Sequence, residues 1–150
     1  MKLAEALQER ADLNRKIEQL RQRLQNNALV QEGEEPAENP DELIIELDES
    51  IDRLEELMAH INKTNCLTVD NGESLTELIA ERDTLNIRIR AYRDLITEAS
   101  SSTRRYSASE IKILSTVNVR FLQQKLDEMC KQLRLTDNRI QSLNWTTDLL

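Results

Sequence analysis

The side chains able to do chemistry in this chain are few and unevenly placed. Glu32, Glu34, Glu35 and Glu38 crowd one short stretch, and closely spaced carboxylates are what a hard cation such as Ca²⁺ or Mg²⁺ needs. No Asp-x-Asp-x-Asp-Gly loop accompanies them, so the competing reading is a solvated acidic linker. His60 is the only histidine, and neither Cys66 nor Cys130 has a second ligand two to four residues away; that set does not build a zinc site. A Cys or Ser nucleophile would have only His60 as its base, and no Gly-x-Ser-x-Gly elbow is present. Gly33 and Gly72 are the only glycines, too few for a phosphate-cradling loop. His60 reads instead as a helix-end residue whose protonated ring complements the dipole. No catalytic residue, cofactor or resident metal is expected, with the four glutamates as the sole metal candidates.

Interaction chemistry is better represented. Twelve acids and one base, Arg53, lie between Gln31 and Glu56, so this stretch carries −11 against −8 for the whole chain and leaves the remainder at +3. Docking of the acidic arm onto Arg88, Arg90, Arg93, Arg104 and Arg105, within or between subunits, is one expectation; a solvated helix face is the other. Arg10 and Arg82 fall on heptad core positions, where an arginine snorkels, pairs with an acid or anchors a ligand. Trp145 is expected to pack the C-terminal end onto a neighbouring helix. The interaction residues singled out are thus Arg82, Arg88, Arg104, Arg105 and Trp145. Net negative charge argues against nucleic acid or anionic lipid as partner.

These groups must be held by helices. Two Gly and two Pro in 150 residues compare with roughly 12 % in an average protein, and folds built on frequent tight turns are excluded. Four aromatics cannot fill a thick core, whereas aliphatic seams between slender helices need few. The expected class is mainly α: four long antiparallel helices with heptad seams, coiled-coil-like, in a single domain over 1–150. The first helix, about 2–27, carries Leu3, Ala6, Arg10, Leu13, Ile17, Leu20 and Leu24 at steps of three and four. An acidic linker, 31–40, is broken by Pro36 and Pro40. The second helix, about 41–64, has its seam at Leu43 or Ile44, then Leu47, Ile51, Leu54, Met58 and Ile61, and ends at Asn62-Lys63-Thr64-Asn65.

Ser74-Leu75-Thr76-Glu77 is a capping box that opens the third helix, about 74–99, with Leu75, Leu78, Arg82, Leu85, Ile89, Tyr92 and Ile96 in register. Ile111 to Val117 is dense in β-branched residues and reads as a short strand, with a helix as the alternative. Its natural partner is 28–32, since a lone strand leaves its amides unpaired. Asn118 caps a fourth helix, about 118–144, with Leu122, Leu126, Met129, Leu133, Thr136, Ile140 and Leu143 at heptad steps. Such rods expose apolar stripes on several sides, and a homo-oligomer is expected to cover them.

Acids at Glu5 and Glu9 interrupt any signal-peptide core, and no apolar run approaches a membrane span; the expected location is the cytoplasm. Cys66, in a loop, and Cys130, on a helix, are then free thiols, and the sequons Asn62-Lys63-Thr64 and Asn144-Trp145-Thr146 are accidental.

Four segments, Asn26 to Pro40, Ile61 to Asn65, Arg105 to Ile111 and Asp137 to Leu149, resemble a septicolysin-like family of short bacterial helical proteins. The resemblance implies a bacterial, coiled-coil-rich protein of largely unknown function and transfers no catalytic residue. Its label suggests a membrane-active cytolysin, for which few aromatics and an acidic helix are poor equipment. The leading expectation is a non-enzymatic, self-associating interaction or scaffold protein, followed by the cytolysin, then a small-ligand or metal binder.

Overall fold

The computed structural model describes residues 1–101 and 111–150. They form four helices, α1 (Leu3–Asn26), α2 (Pro40–Leu67), α3 (Leu75–Ser100) and α4 (Val119–Thr146), and one hairpin of two-residue strands, β1 (Val69–Asp70) and β2 (Glu73–Ser74). The chain divides into two compact units. One holds Met1–Ser74 with Leu143–Leu150, and the other holds Leu75–Ser142.

In the first unit α1 and α2 pack antiparallel. Ion pairs descend α1 as they climb toward the end of α2: Arg23 with Glu38 just before α2, then Lys16 with Glu46 at 2.9 Å and Glu9 with Arg53 at 2.7 Å. The seam buries Leu3, Ala6 and Leu20 from α1 against Leu43, Leu57 and Ile61 from α2. Pro40 opens α2 at N1, and the Asn39 side chain accepts a hydrogen bond from the Asp41 amide at 3.0 Å. Proline suits a position whose N–H has no helical partner, and asparagine satisfies one that would otherwise be orphaned. Asn39→Ala is therefore expected to destabilise the chain by about 1 kcal/mol, read as a shift in urea midpoint at unchanged slope.

Helix α2 runs past the expected stop at Asn62–Asn65. Ile61 and Thr64 are fully buried, and the Thr64 hydroxyl donates to the His60 carbonyl at 2.8 Å. Packing of this last stretch outweighs the poor helix propensity of Asn and Thr. Cys66 consequently sits on α2 and not in a loop.

The two-stranded ribbon exists, but not where it was expected. Residues 28–32 and 111–117 contain no strand, and Leu29, Ile111 and Leu114 are among the most exposed apolar side chains. The ribbon is the hairpin Val69↔Ser74, Asp70↔Glu73, turned by Asn71 at φ 51° and Gly72 at φ 87°. Positive φ at both central residues gives the turn whose twist matches paired strands, and Asn-Gly is the dipeptide that adopts it. Closing a two-residue turn costs far less chain entropy than joining segments some eighty residues apart.

In the second unit α3 contributes buried Leu75, Leu78, Leu85 and Ile89, and α4 contributes Leu126, Thr136 and Ile140. The Gln132 amide donates to the Glu81 carboxylate across the pair at 2.6 Å. Asn118 caps α4, accepting from the Phe121 amide at 3.1 Å. The expected loop residues Arg104 and Arg105 lie outside the described residues. No helix among the described residues is long and apolar enough to cross a membrane.

Candidate functional site

The feature of α2 that has no structural use is its second apolar stripe. Leu43, Ser50, Leu57 and Thr64 recur every seven residues and, with Ile61, are the buried positions. Leu47 and Leu54, beside them, are half-buried. One position further round, Ile44, Ile51 and Met58 repeat the same heptad and stand 45 %, 42 % and 44 % exposed. The seam expected from sequence therefore mixes two faces: it is right at Leu43 and Ile61 but takes Ile51 and Met58 where Ser50 and Leu57 are inside. A serine and a threonine hold core positions because each returns its hydroxyl to the helix, Ser50 to the Glu46 carbonyl at 2.7 Å and Thr64 to that of His60.

The outer stripe is rimmed by Asp41, Asp48, Asp52 and Glu55, none in an ion pair among the described residues. At 1.5 Å per residue, Ile44 to Met58 spans about 21 Å. Ile45 stands 59 % exposed beside it. Amphipathic helices dock by apolar stripes of this kind and length.

The remaining acids of the arm are partly spent within the unit. The Arg23 guanidinium grips Glu38, its Nε 3.0 Å from Oε2, while the Glu38 amide donates to the buried Asn27 side chain at 3.0 Å. This removes Glu38 from any cation site, and Glu32, Glu34 and Glu35 are exposed. No group of three or more metal-ligating side chains is assembled among the described residues. Arg53 is held charged by Glu9 and then Glu56.

The hydrogen bond from Arg23 holds the Glu38 carboxyl below its ordinary value, and Lys2 does the same for Asp148, paired at 2.8 Å. A depressed carboxylate contributes stability that is present above its unfolded pKa and is lost as pH falls through the folded one. The chain is thus expected to loosen on acidification below the ordinary carboxylate value of 4.5 for Glu38. Carboxyl NMR titration checks this: the midpoints should fall below the ordinary values of 4.5 for Glu38 and 3.8 for Asp148, and midpoints at those values would contradict the pairing.

A groove of about 390 Å³ on the second unit is lined by Arg82, Asn86, Cys130, Leu133, Arg134 and Asp137. Arg82, half-buried, forks onto neighbouring Asp83 through Nε at 2.9 Å and Nη2 at 2.8 Å. The Cys130 sulfur accepts from Arg93 Nη2 at 3.6 Å. Arg82 thus has the local acid that a heptad arginine needs, and Arg134 and Asp137, both on α4, line the same groove. Arg88 is exposed. Arg88, Arg90 and Arg93 belong to the second unit and the acidic arm to the first; Arg104 and Arg105 are outside the described residues.

The ends of the first unit are fastened together. Lys2 and Asp148 form an antiparallel bridge, with Leu3 N–H donating to the Thr147 carbonyl at 2.9 Å and Leu149 N–H to that of Met1 at 3.0 Å. Leu150 N–H donates to the Thr64 hydroxyl at 3.0 Å, and the His60 Nδ1 contacts the Leu150 main-chain oxygen. His60 is therefore tied into this clasp instead of simply facing the end of α2. Neither cysteine is in a disulfide. Trp145, on the last turn of α4, stands 55 % exposed.

These elements define a helical protein whose surface, more than any pocket, carries its distinctive chemistry. Residues 10–149 match the profile of DUF6847, a family of unknown function, and the chain belongs to that family. This overturns the septicolysin-like resemblance: the match spans nearly the whole chain, including the segments that suggested it, and the cytolytic reading loses its support. The chain is also similar to a solved structure, a functionally unknown conserved protein from Corynebacterium diphtheriae, at 41 % identity and TM-score 0.93, covering 100 % of this chain and 99 % of that one. No curated protein matches the chain.

Proposed function

We propose that this chain is a non-enzymatic, self-associating helical protein of the cytoplasm that works as an interaction module. The observation that carries the reading is the second stripe of α2: three large aliphatic side chains in heptad register, nearly half exposed, on a helix whose other face is already buried. Scattered apolar residues on a surface are ordinary; a continuous stripe rimmed by charge marks a contact surface. Ile87, Leu95, Phe121 and Leu135 leave further apolar surface on α3 and α4. The non-enzymatic part is supported by the side chains themselves, since His60 is engaged by Leu150 and Arg82 of the groove is paired with Asp83.

Light scattering on a size-exclusion column tests the reading. At micromolar concentration the mass is expected to be a multiple of 17.4 kDa; a single 17.4 kDa species at every concentration overturns it.

A further inference from the structure

Resting on that reading, we infer that the acid-rimmed outer stripe of α2 is covered by the outer face of α4 from a second copy of the chain. The buried face of α4 runs through Leu126, Thr136 and Ile140. On the opposite side Phe121, Glu128, Leu135 and Ser142 recur every seven residues, interleaved with Gln124, Lys131, Asn138 and Trp145 at the same period. Phe121, Leu135 and Trp145 stand 51 %, 52 % and 55 % exposed. From Phe121 to Leu135 is fourteen residues, the same span as Ile44 to Met58, so both sets of anchors fit a contact of about 21 Å.

Charge selects this pairing. Helix α2 carries eight acids against Arg53 and Lys63, and α4 carries five bases against three acids. Arg120, Lys131 and Arg134 border the α4 seam and make no ion pair among the described residues. Pairing α2 with the α2 of another copy would set Asp48, Asp52 and Glu55 against their own kind, and like charges across a contact cost more than the apolar stripe returns. Glu128, the one acid in the middle of the α4 seam, has Lys125 and Lys131 a turn away on either side. Each copy owns one face of each sort, so the contact sets α2 of one copy against α4 of another.

The test is a charge exchange, read by sedimentation equilibrium, with circular dichroism to establish that each variant is folded. Reversing two rim acids (Asp48→Lys with Glu55→Lys) is expected to weaken self-association by about a hundredfold. Reversing two bases of the other face (Lys131→Glu with Arg134→Glu) should do the same. Mixing the two variants should restore association, because a reversed α2 then meets a reversed α4 in one contact and wild-type faces meet in the other. Self-association that survives both reversals overturns this pairing while leaving self-association standing. Loss in both variants without rescue on mixing overturns direct contact between the two faces. A monomeric wild type overturns the pairing and the underlying reading together.

Discussion

Leu57→Ala is expected to lower the unfolding free energy by about 2–5 kcal/mol, and Met58→Ala, its neighbour in sequence, by less than about 0.5 kcal/mol when the chain is dilute. Leu57 is 1 % exposed in the α1–α2 seam and Met58 is 44 % exposed on the stripe beside it. Truncating Leu57 removes apolar contacts and leaves a cavity that two rigid helices cannot close. Truncating Met58 removes surface already in water. At concentrations where copies associate the order of consequence reverses, because Met58 is then an interface residue. Urea unfolding in a dilution series separates the two effects, and equal losses at low concentration would place both residues in one core and remove the second stripe.

The second large effect is expected at the clasp. Thr64→Val keeps the shape of a fully buried side chain but deletes a hydroxyl that accepts from Leu150 N–H and donates to the His60 carbonyl. The His60 carbonyl keeps its helical partner, the Thr64 N–H four residues on, which the substitution leaves in place. The Leu150 amide has no such replacement. Leaving a partly buried donor unpaired costs about 1–3 kcal/mol. Residues 147–150 should fray with it, and hydrogen exchange at the Leu3 and Leu149 amides, which bond across the bridge, should accelerate. Unchanged exchange at both amides would show that the bridge holds without Thr64.

Much of this architecture is legible in the residues. The dearth of Gly and Pro and the three-and-four spacing of Leu and Ile point to four helices, and four helices form. The phase of a seam is harder to read than its existence. In α2, Leu43, Ile44, Leu47, Ile51, Leu54, Leu57, Met58 and Ile61 support two registers one residue apart, and apolarity favours the one containing Ile51 over the one containing Ser50. The packing against α1 chooses the other, since a serine can satisfy its hydroxyl on Glu46 and lie inside. That ambiguity is itself the mark of a helix with two apolar faces.

The hairpin had a plain local signal in Asn71-Gly72, flanked by Val69 and Glu73, whereas β-branched density at Ile111 to Val117 is only a preference for a half-buried surface that the chain does not supply there. The clasp was not readable, because it joins Met1–Leu3 to residues 147–150 and no periodicity links positions so far apart. The ion pairs of Arg23 with Glu38 and Lys16 with Glu46 depend in the same way on how α1 and α2 are registered.

The outer stripe of α2 is proposed as an interface, and its burial in solution can be read at one atom. With Cys66→Ser and Cys130→Ser as background, Ile51→Cys places a thiol in the middle of the stripe, and its rate of maleimide labelling is followed across a concentration series. Labelling is expected to slow as concentration rises, because association covers the site by mass action. A labelling rate that stays the same from dilute to concentrated protein would contradict the claim.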